Sequence, residues 1–229
     1  MTFALAARCP RTGMLGAAVT TSSIAVGSRC VFARAGTGAV LTQHRTDPRL
    51  GPLGLDMLAG GKTAEETIAA LVASTPHHGW RQLAVVDAAG RTANFSGHLI
   101  ASIHAGVAGD GAVAVGNLLK NEDVPASMLR DFARRPERPL AERLVGALEA
   151  GLAAGGETAS VRSAALLVVH RHSFPYVDLR VDDDAAPIER LAALWRAYAP
   201  EAEDFVQRAI APDDAPGFGE PKRETPPPQ

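Results

Sequence analysis

MTFALAARCPRTGMLGAAVTTSS, residues 1–23, predicts a β-hairpin that begins at residue 2. Two apolar runs, TFALAAR and MLGAAVT, flank the segment CPRTG, whose proline and glycine favour a turn. If Cys9 lies opposite Met14 across this turn, the antiparallel register places Thr2 opposite Thr21. The start of the chain is therefore expected to lie beside the hydroxyl-rich segment TTSS, residues 20–23.

A second predicted hairpin brings further polar residues to the same place. The runs RCVFARA and AVLTQ flank GTG, and pairing Ala35 with Gly38 places Gln43 opposite Cys30. Cys30 lies a few residues after the serines of the TTSS segment. The sequence thus predicts that Thr2, Ser22, Ser23 and Gln43 share one end of a sheet, with the two serines and Gln43 as substrate-binding candidates.

The order of predicted elements indicates the fold class. Four strands, two helices, four strands, two helices, two strands and a helix follow one another, and the strands arrive as hairpins rather than as βαβ units. Several strands are apolar on both faces, which suits sheets that are buried on both sides. These patterns predict an α+β protein with two stacked antiparallel sheets and helices outside them. We expect a single domain over 1–211 and a disordered, proline-rich tail over 212–229.

Composition excludes several classes of function. The 229 residues carry a formal net charge of −2, and 46% of them are hydrophobic, so no electrostatic footprint for nucleic acid or an anionic membrane is expected. The chain has no apolar run long enough to span a bilayer, and its start does not resemble a secretory signal, which favours a cytoplasmic protein. Its two cysteines, Cys9 and Cys30, lack metal-ligand spacing, so neither a metal nor another cofactor is expected.

Thr2 is the candidate nucleophile. A threonine hydroxyl needs a base close to it, and removal of Met1 would expose an α-amine whose pKa lies near about 7.7–8.0. Thr2 would then carry the nucleophile and its base on one residue. The alternative is that Thr2 is only a β-branched residue that suits the start of a strand.

Several motifs, taken in order, resemble one bacterial family, domain of unknown function 1028. The matching segments are MTFALAAR, GAAVTTSSIAVG, ARAGTGAVLTQ, RQLAVVDAAGR, VGNLL, SAALLVV and YVDLRVDDDAAPIERL, spread over about residues 1–198. That family is similar to the N-terminal-nucleophile (Ntn) hydrolases, which include the proteasome subunits. The resemblance implies a four-layer αββα sandwich and an amide-cleaving site on the residue after Met1, acting on a small amide or peptide-like substrate.

The resemblance also implies roles for other residues. Asn117, just past an apolar strand, corresponds to the asparagine that supplies an oxyanion-hole donor in many Ntn hydrolases. Proteasome subunits carry a lysine on the third strand, where this chain has Arg29 and Arg34, and Arg34 is the candidate for supplying positive charge. The aspartate that proteasome subunits carry at the end of the second strand is also missing.

Two alternatives to this hydrolase stay open on the sequence. One is a non-catalytic binding or assembly module of the same fold, which the missing lysine and aspartate favour. The other uses an internal nucleophile such as Cys30. Flat layers of this kind commonly pair, which favours a homodimer.

Overall fold

The first hairpin has the predicted register. In the computed structural model, which describes residues 2–215 and 217, strand β1 pairs antiparallel with strand β2, and Phe3 lies opposite Thr20. Across the turn, the Cys9 N–H donates to the Met14 carbonyl at 2.8 Å. The start of β1 therefore lies beside the end of β2, as the CPRTG turn predicts.

The described residues form ten strands and six α-helices in the predicted order, except that the last predicted helix is divided into two. The strands are β1 (Thr2–Arg8), β2 (Leu15–Thr21), β3 (Val31–Arg34), β4 (Gly38–Gln43), β5 (Gln82–Asp87), β6 (Thr92–Ser96), β7 (His104–Gly109), β8 (Ala112–Asn117), β9 (Ser163–Val169) and β10 (Val177–Val181). The helices are α1 (Leu50–Ala59), α2 (Ala64–Ala73), α3 (Asp123–Arg134), α4 (Leu140–Ala153), α5 (Pro187–Tyr198) and α6 (Ala202–Ile210). A short 3₁₀ turn around Pro200 separates the last two helices, because proline cannot continue a regular helix.

The second hairpin differs from the prediction by one residue. Arg34, not Ala35, lies opposite Gly38, and the Thr42 N–H donates to the Cys30 carbonyl at 3.1 Å. The predicted pairing of Gln43 with Cys30 is therefore wrong. The turn has three residues rather than two because Gly36 adopts a left-handed conformation with φ of 66°.

The strands form two antiparallel sheets. The first has the order β10-β9-β2-β1-β8-β7 and the second the order β3-β4-β5-β6. Helices α3, α4 and α5 pack against the first sheet, and α1 and α2 pack against the second. The predicted α+β class with two antiparallel sheets is thus confirmed.

Three hydrophobic clusters hold these elements together. One lies between the first sheet and its helices, one between the second sheet and its helices, and one between the two sheets. We call the last the intersheet layer. Each fully buried leucine or valine side chain in these clusters contributes roughly 1.5–3 kcal/mol to folding.

Strand alternation decides which side chains enter the intersheet layer. On β1, Phe3 and Leu5 belong to the helix-side cluster, whereas Ala4 and Ala6 belong to the intersheet layer. Because side chains alternate along a strand, Thr2 belongs with Ala4 and faces the space between the sheets.

Local signals also mark the helices. Thr63 and Glu66 form the capping box that begins α2: the Thr63 hydroxyl accepts from the Glu66 N–H at 3.1 Å, and the Glu66 carboxylate accepts from the Thr63 N–H at 2.8 Å. None of the described helices is both long enough and apolar enough to cross a membrane. Most of the tail predicted over 212–229 lies outside the described residues.

Candidate active site

Five polar side chains converge at one end of the intersheet layer, where β1 begins; we call this the Thr2 end. They come from five different strands. Each lies two residues along its strand from a member of the intersheet layer, so side-chain alternation directs it between the sheets as well. These neighbours are Ala4, Val19, Leu41, Ala84 and Val115. All five are at least nine-tenths buried: Thr2, Thr21, Gln43, Gln82 and Asn117. A polar cluster therefore replaces the apolar packing at this end of the layer.

Register places the hydroxyl groups and Asn117 side by side. Thr2 pairs with Asn117 across the β1–β8 ladder, and its hydroxyl lies 3.4 Å from that of Thr21 on β2. The first residue of β1 thus has a polar neighbour on each side within its own sheet. Thr2 itself is 6% exposed.

The side-chain amide of Gln82 organises the cluster. Its Nε2 donates to the Gly116 carbonyl at 2.9 Å and to the Ser96 hydroxyl at 3.0 Å, and the Gly116 carbonyl can only accept, so the orientation of the amide is fixed. Its Oε1 then accepts from Gln43 Nε2 at 2.7 Å and from Asn117 Nδ2 at 3.0 Å. Gln43 and Asn117 must therefore both present their NH₂ groups to Gln82.

This orientation leaves buried acceptor oxygens without partners. Gln43 Oε1, Asn117 Oδ1 and Glu157 Oε1 have no hydrogen-bond partner among the described residues. Leaving a buried polar atom unpaired costs about 1–3 kcal/mol, so native proteins contain few of them. Three such oxygens around the start of β1 favour the binding of a group that donates several hydrogen bonds.

Glu157 lies on a loop that crosses the end of the first sheet. Its Oε2 accepts from the Ser22 N–H at 3.2 Å, just after β2, and its backbone bridges to Leu119, just after β8. Because β1 lies between β2 and β8, this loop passes the end at which β1 begins. A carboxylate is thereby held close to Thr2.

The environment of Glu157 favours its protonated form. The residue is 2% exposed, and burial raises its pKa to about 7, although the hydrogen bond from Ser22 acts in the opposite direction. Glu157 also lines a cavity of about 300 Å³, together with Lys120, Gly155 and Thr158 among others. This carboxyl group can therefore exchange a proton near neutral pH.

Backbone strain is concentrated around the same end. The four described non-glycine residues with left-handed backbone are Ala25, His44, Arg45 and Leu118. His44 and Arg45 follow Gln43, Leu118 follows Asn117, and Ala25 belongs to the loop after β2. Such conformations cost of order 1–3 kcal/mol each and cluster at functional sites.

Ser22 and Ser23 are placed differently from each other. Ser22 contacts the site through its backbone N–H, which binds Glu157. Ser23 is exposed, and its hydroxyl accepts from Arg29 Nη2 at 2.6 Å. Ser22 therefore lies within the cluster, whereas Ser23 lies in the adjoining surface loop.

Arg34 does not reach the cluster, which corrects its predicted role beside Thr2. It pairs with Gly38, which is five residues along β4 from Gln43, or about 17 Å at the rise of an extended strand. Its side chain points to the helix side of the sheet and binds Asp56 of α1 at 2.8 Å. Arg34 therefore does not lie beside Thr2.

The alternative nucleophile Cys30 is poorly suited to its task. Burial raises the pKa of its thiol, so less of the reactive thiolate is present at neutral pH. Its sulfur lies 3.6 Å from the Thr46 hydroxyl. These surroundings are those of a structural cysteine.

Sequence patterns missed two residues of the site, Gln82 and Glu157. Gln82 could have been found from the hairpin registers, because it pairs directly with Gln43 on the neighbouring strand. Glu157 has no comparable signal, since its position depends on where the loop between α4 and β9 crosses the sheet. Within 2–215 and 217, no cluster of three or more His, Cys, Asp or Glu side chains is arranged to hold a metal ion.

Comparison with known proteins gives relatives of this fold. The chain is similar to a crystal structure from Silicibacter pomeroyi, described as a member of the DUF1028 family, with a TM-score of 0.83 and 28% identity over 97% of this chain and 94% of that one. It also matches Anbu, the ancestral beta-subunit from Yersinia bercovieri, with a TM-score of 0.39 and 10% identity over 90% of this chain and 97% of that one. No curated protein matches. Because the model of DUF1028, a family of unknown function, matches residues 2–191, the chain belongs to that family.

Proposed function

We propose that this chain is an Ntn-type hydrolase that cleaves a small amide or peptide-like bond, with Thr2 as its nucleophile after removal of Met1. The observation that carries the proposal is the convergence of Thr2 with three side-chain amides and a buried carboxyl group at one end of the intersheet layer. We further infer that the layers form the αββα sandwich of this superfamily, within a single domain.

The chemistry follows from freeing the amine of Thr2. The α-amine takes the proton of the Thr2 hydroxyl as Oγ1 attacks the carbonyl carbon of the substrate. The amine then passes this proton to the departing nitrogen, and an ester between the acyl group and Thr2 remains. Water attacks the ester in the second half of the reaction and releases the acid. These steps need no cofactor.

Asn117 supplies a donor for the negative charge that develops on the carbonyl oxygen. One of its two N–H bonds is held by Gln82, and the orientation of that amide leaves the other available. Asn117 pairs with Thr2 across the ladder, so the donor is held beside the nucleophile by the sheet itself. A preorganised donor of this kind contributes roughly 3–4 kcal/mol of transition-state stabilisation.

Glu157 positions the amine. An ammonium group has three donors, and the unpartnered oxygens of Glu157, Gln43 and Asn117 are acceptors at the same end of the layer. Because burial raises its pKa, Glu157 shares the proton with this amine. This pair keeps part of the amine neutral near pH 7, as a base requires.

The experiment begins with untagged protein, because an amino-terminal tag would block the amine. Its intact mass is expected to lack Met1, and the wild type is expected to hydrolyse at least one member of a panel of small amides. Thr2→Ala should reduce turnover by more than about 10³-fold, as removal of a nucleophile does. Thr37→Ala, in the turn between β3 and β4, is the matched control and should leave turnover unchanged.

The result that contradicts the proposal is equally definite. Active protein that retains Met1, or a Thr2→Ala variant as active as the wild type, removes Thr2 from the mechanism. Circular dichroism and the unfolding midpoint of each variant establish that a loss of turnover is not a loss of fold.

A non-catalytic binding module of the same fold is the second candidate, and the burial of Thr2 favours it. The residue is 6% exposed in the chain that still carries Met1, so its hydroxyl is not open to a substrate before that residue is removed. If the purified protein retains Met1 and turns over none of the amides, this second function is the better account.

A further inference from the structure

Arg45 is a cation beside the Thr2 end with no anionic partner of its own. Its guanidinium lies 3.8 Å from the centre of the Trp80 ring, and the side chain is exposed. No carboxylate of the described residues forms an ion pair with Arg45. An arginine stacked on an aromatic ring keeps its N–H edges available for a ligand.

The backbone holds Arg45 in this position. His44 and Arg45 are consecutive left-handed residues with φ of 53° and 45°, directly after Gln43. The His44 ring stacks on Trp80 with centroids 6.4 Å apart, and its Nδ1 lies 2.8 Å from the Trp80 carbonyl. Two strained residues fixed on one indole ring form a rigid support for the guanidinium.

Two histidines, His44 and His104, lie at the same end of the layer as Arg45. His104 pairs with Asn117, which pairs in turn with Thr2, so a single row across β7, β8 and β1 links His104 to the nucleophile. Burial lowers the pKa of His44 and so favours its neutral form, although the contact with the Trp80 carbonyl acts in the opposite direction. Arg45 therefore supplies permanent positive charge at the rim of the Thr2 end.

We propose that this rim selects substrates that carry a carboxylate, and that Arg45 binds that carboxylate. The inference rests on the function proposed above and names the substrate class of the same site: amides with a free carboxyl group near the scissile bond, such as acylated amino acids or acidic peptides. A planar guanidinium matches a carboxylate with two parallel hydrogen bonds, which a neutral amide of the same shape cannot accept.

The test uses pairs of chromogenic or aromatic amides that differ only in charge. Succinic acid mono-4-nitroanilide and its terminal carboxamide place the difference on the acyl side. The compounds 4-acetamidobenzoate and 4-acetamidobenzamide place it on the leaving-group side. For at least one pair, the wild type should show a kcat/KM about 10- to 100-fold higher for the carboxylate, as expected for a hydrogen-bonded charge pair.

Arg45→Gln should lower the kcat/KM of the carboxylate member about 10- to 100-fold more than that of its neutral partner, which removes the preference. Arg208→Gln is the matched control, because Arg208 also lies over an aromatic ring, that of Phe205 on α6, with 5.3 Å to its centre. Arg208→Gln should keep the full preference. The inference is overturned if the wild type has the same kcat/KM for both members of both pairs. It is also overturned if Arg45→Gln lowers kcat/KM equally for the carboxylate and its neutral partner.

Binding separates this inference from the hydrolase proposal. In the Thr2→Ala variant, calorimetry with the same four compounds should show tighter binding of a carboxylate member and loss of that difference on adding Arg45→Gln. If the wild type turns over nothing but this binding preference is present, the hydrolase proposal fails and the carboxylate site stands. If all four compounds bind equally, or none binds, the carboxylate site is overturned whether or not turnover occurs.

Discussion

The two ends of β5 each have a buried carboxyl group nearby, but the two groups differ in how completely they are paired. Asp87 ends the strand and is 3% exposed. Its Oδ1 accepts from the N–H groups of Ala89 and Arg91, both at 2.9 Å, and its Oδ2 accepts from Arg91 Nε at 2.6 Å. At the other end, beyond Gln82, Glu157 is 2% exposed and one of its oxygens has no partner among the described residues.

The difference indicates what each end does. Asp87 closes the turn between β5 and β6, and every hydrogen bond that its carboxylate accepts comes from that turn. Glu157 lies with two unpaired amide oxygens and near several left-handed residues, an arrangement that costs stability. A fold keeps such a region only if selection acts on something other than stability. We therefore expect mutations at the Asp87 end to change folding and mutations at the Thr2 end to change activity.

After Thr2→Ala, the largest effect is expected from Asn117→Ala. Loss of one oxyanion-hole donor should lower kcat on any amide that the protein hydrolyses by about 10²- to 10³-fold. Asn121→Ala is the control, because that asparagine binds the Ala154 carbonyl and the Asp123 N–H next to α3. Steady-state kinetics on both variants should show a fall in kcat for the first alone. A similar fall in both would mean that Asn117 acts only through the fold.

At the opposite end, Asp87→Ala should destabilise the protein by roughly 2–3 kcal/mol, because it leaves two turn N–H groups and Arg91 without their acceptor. Urea titration of the free energy of unfolding measures this loss. The control is Asp110→Ala, an exposed residue in the turn between β7 and β8, which should have little effect. The activity of the folded fraction should stay at the wild-type value in both variants. A fall in its kcat would contradict the division between the two ends.

Glu157 should make the stability of the protein depend on pH. Its folded pKa, about 7, lies above the ordinary value of 4.5, so the folded state holds the proton more tightly than the unfolded state. The stabilisation from this proton is complete below pH 4.5 and is lost as the pH rises through 7. From pH 4 to pH 8, the free energy of unfolding of Glu157→Gln should therefore increase by on the order of 2–3 kcal/mol relative to that of the wild type.

Chemical denaturation of both proteins at a series of pH values measures this gain. Thr20→Val, which changes no titratable group, serves as the comparison and should differ from wild type by the same amount at every pH. A constant difference between Glu157→Gln and wild type from pH 4 to pH 8 would show that Glu157 has an ordinary pKa.

Most of the fold could be predicted because its signals are local. The CPRTG turn fixed the register of the first hairpin, and the Thr63–Glu66 pair fixed the start of α2. The register of the second hairpin was wrong because nothing in GTG distinguishes a two-residue turn from a three-residue turn with Gly36 left-handed. Turn type depends on backbone geometry that glycine leaves open.

The candidate site was predictable only where strands end. Thr2, Gln43 and Asn117 each stand at the end of a strand; hairpin registers indicated the first two, although that of Gln43 was off by one residue, and the resemblance to Ntn hydrolases indicated Asn117. Arg34 was assigned by analogy to a proteasome lysine, although it shares a strand face with Phe32 and so points toward the helices. Glu157 could not be found, because it depends on a loop crossing between distant elements rather than on any local pattern.

The smallest expected effect compares the two faces of one strand at the Thr2 end. Thr20 and Thr21 are neighbours on β2, but the Thr20 hydroxyl donates to the Ser163 carbonyl at 2.8 Å, whereas the Thr21 hydroxyl lies next to that of Thr2. Thr20→Val should therefore cost about 1 kcal/mol of stability without changing kcat/KM, since it removes one buried hydrogen bond. Thr21→Val should lower kcat/KM by about 2- to 10-fold with a smaller change in stability. Denaturation and steady-state kinetics on the two variants measure these effects. If Thr20→Val instead lowered kcat/KM and Thr21→Val changed only stability, the functional face of β2 would be the one toward the helices rather than the one between the sheets.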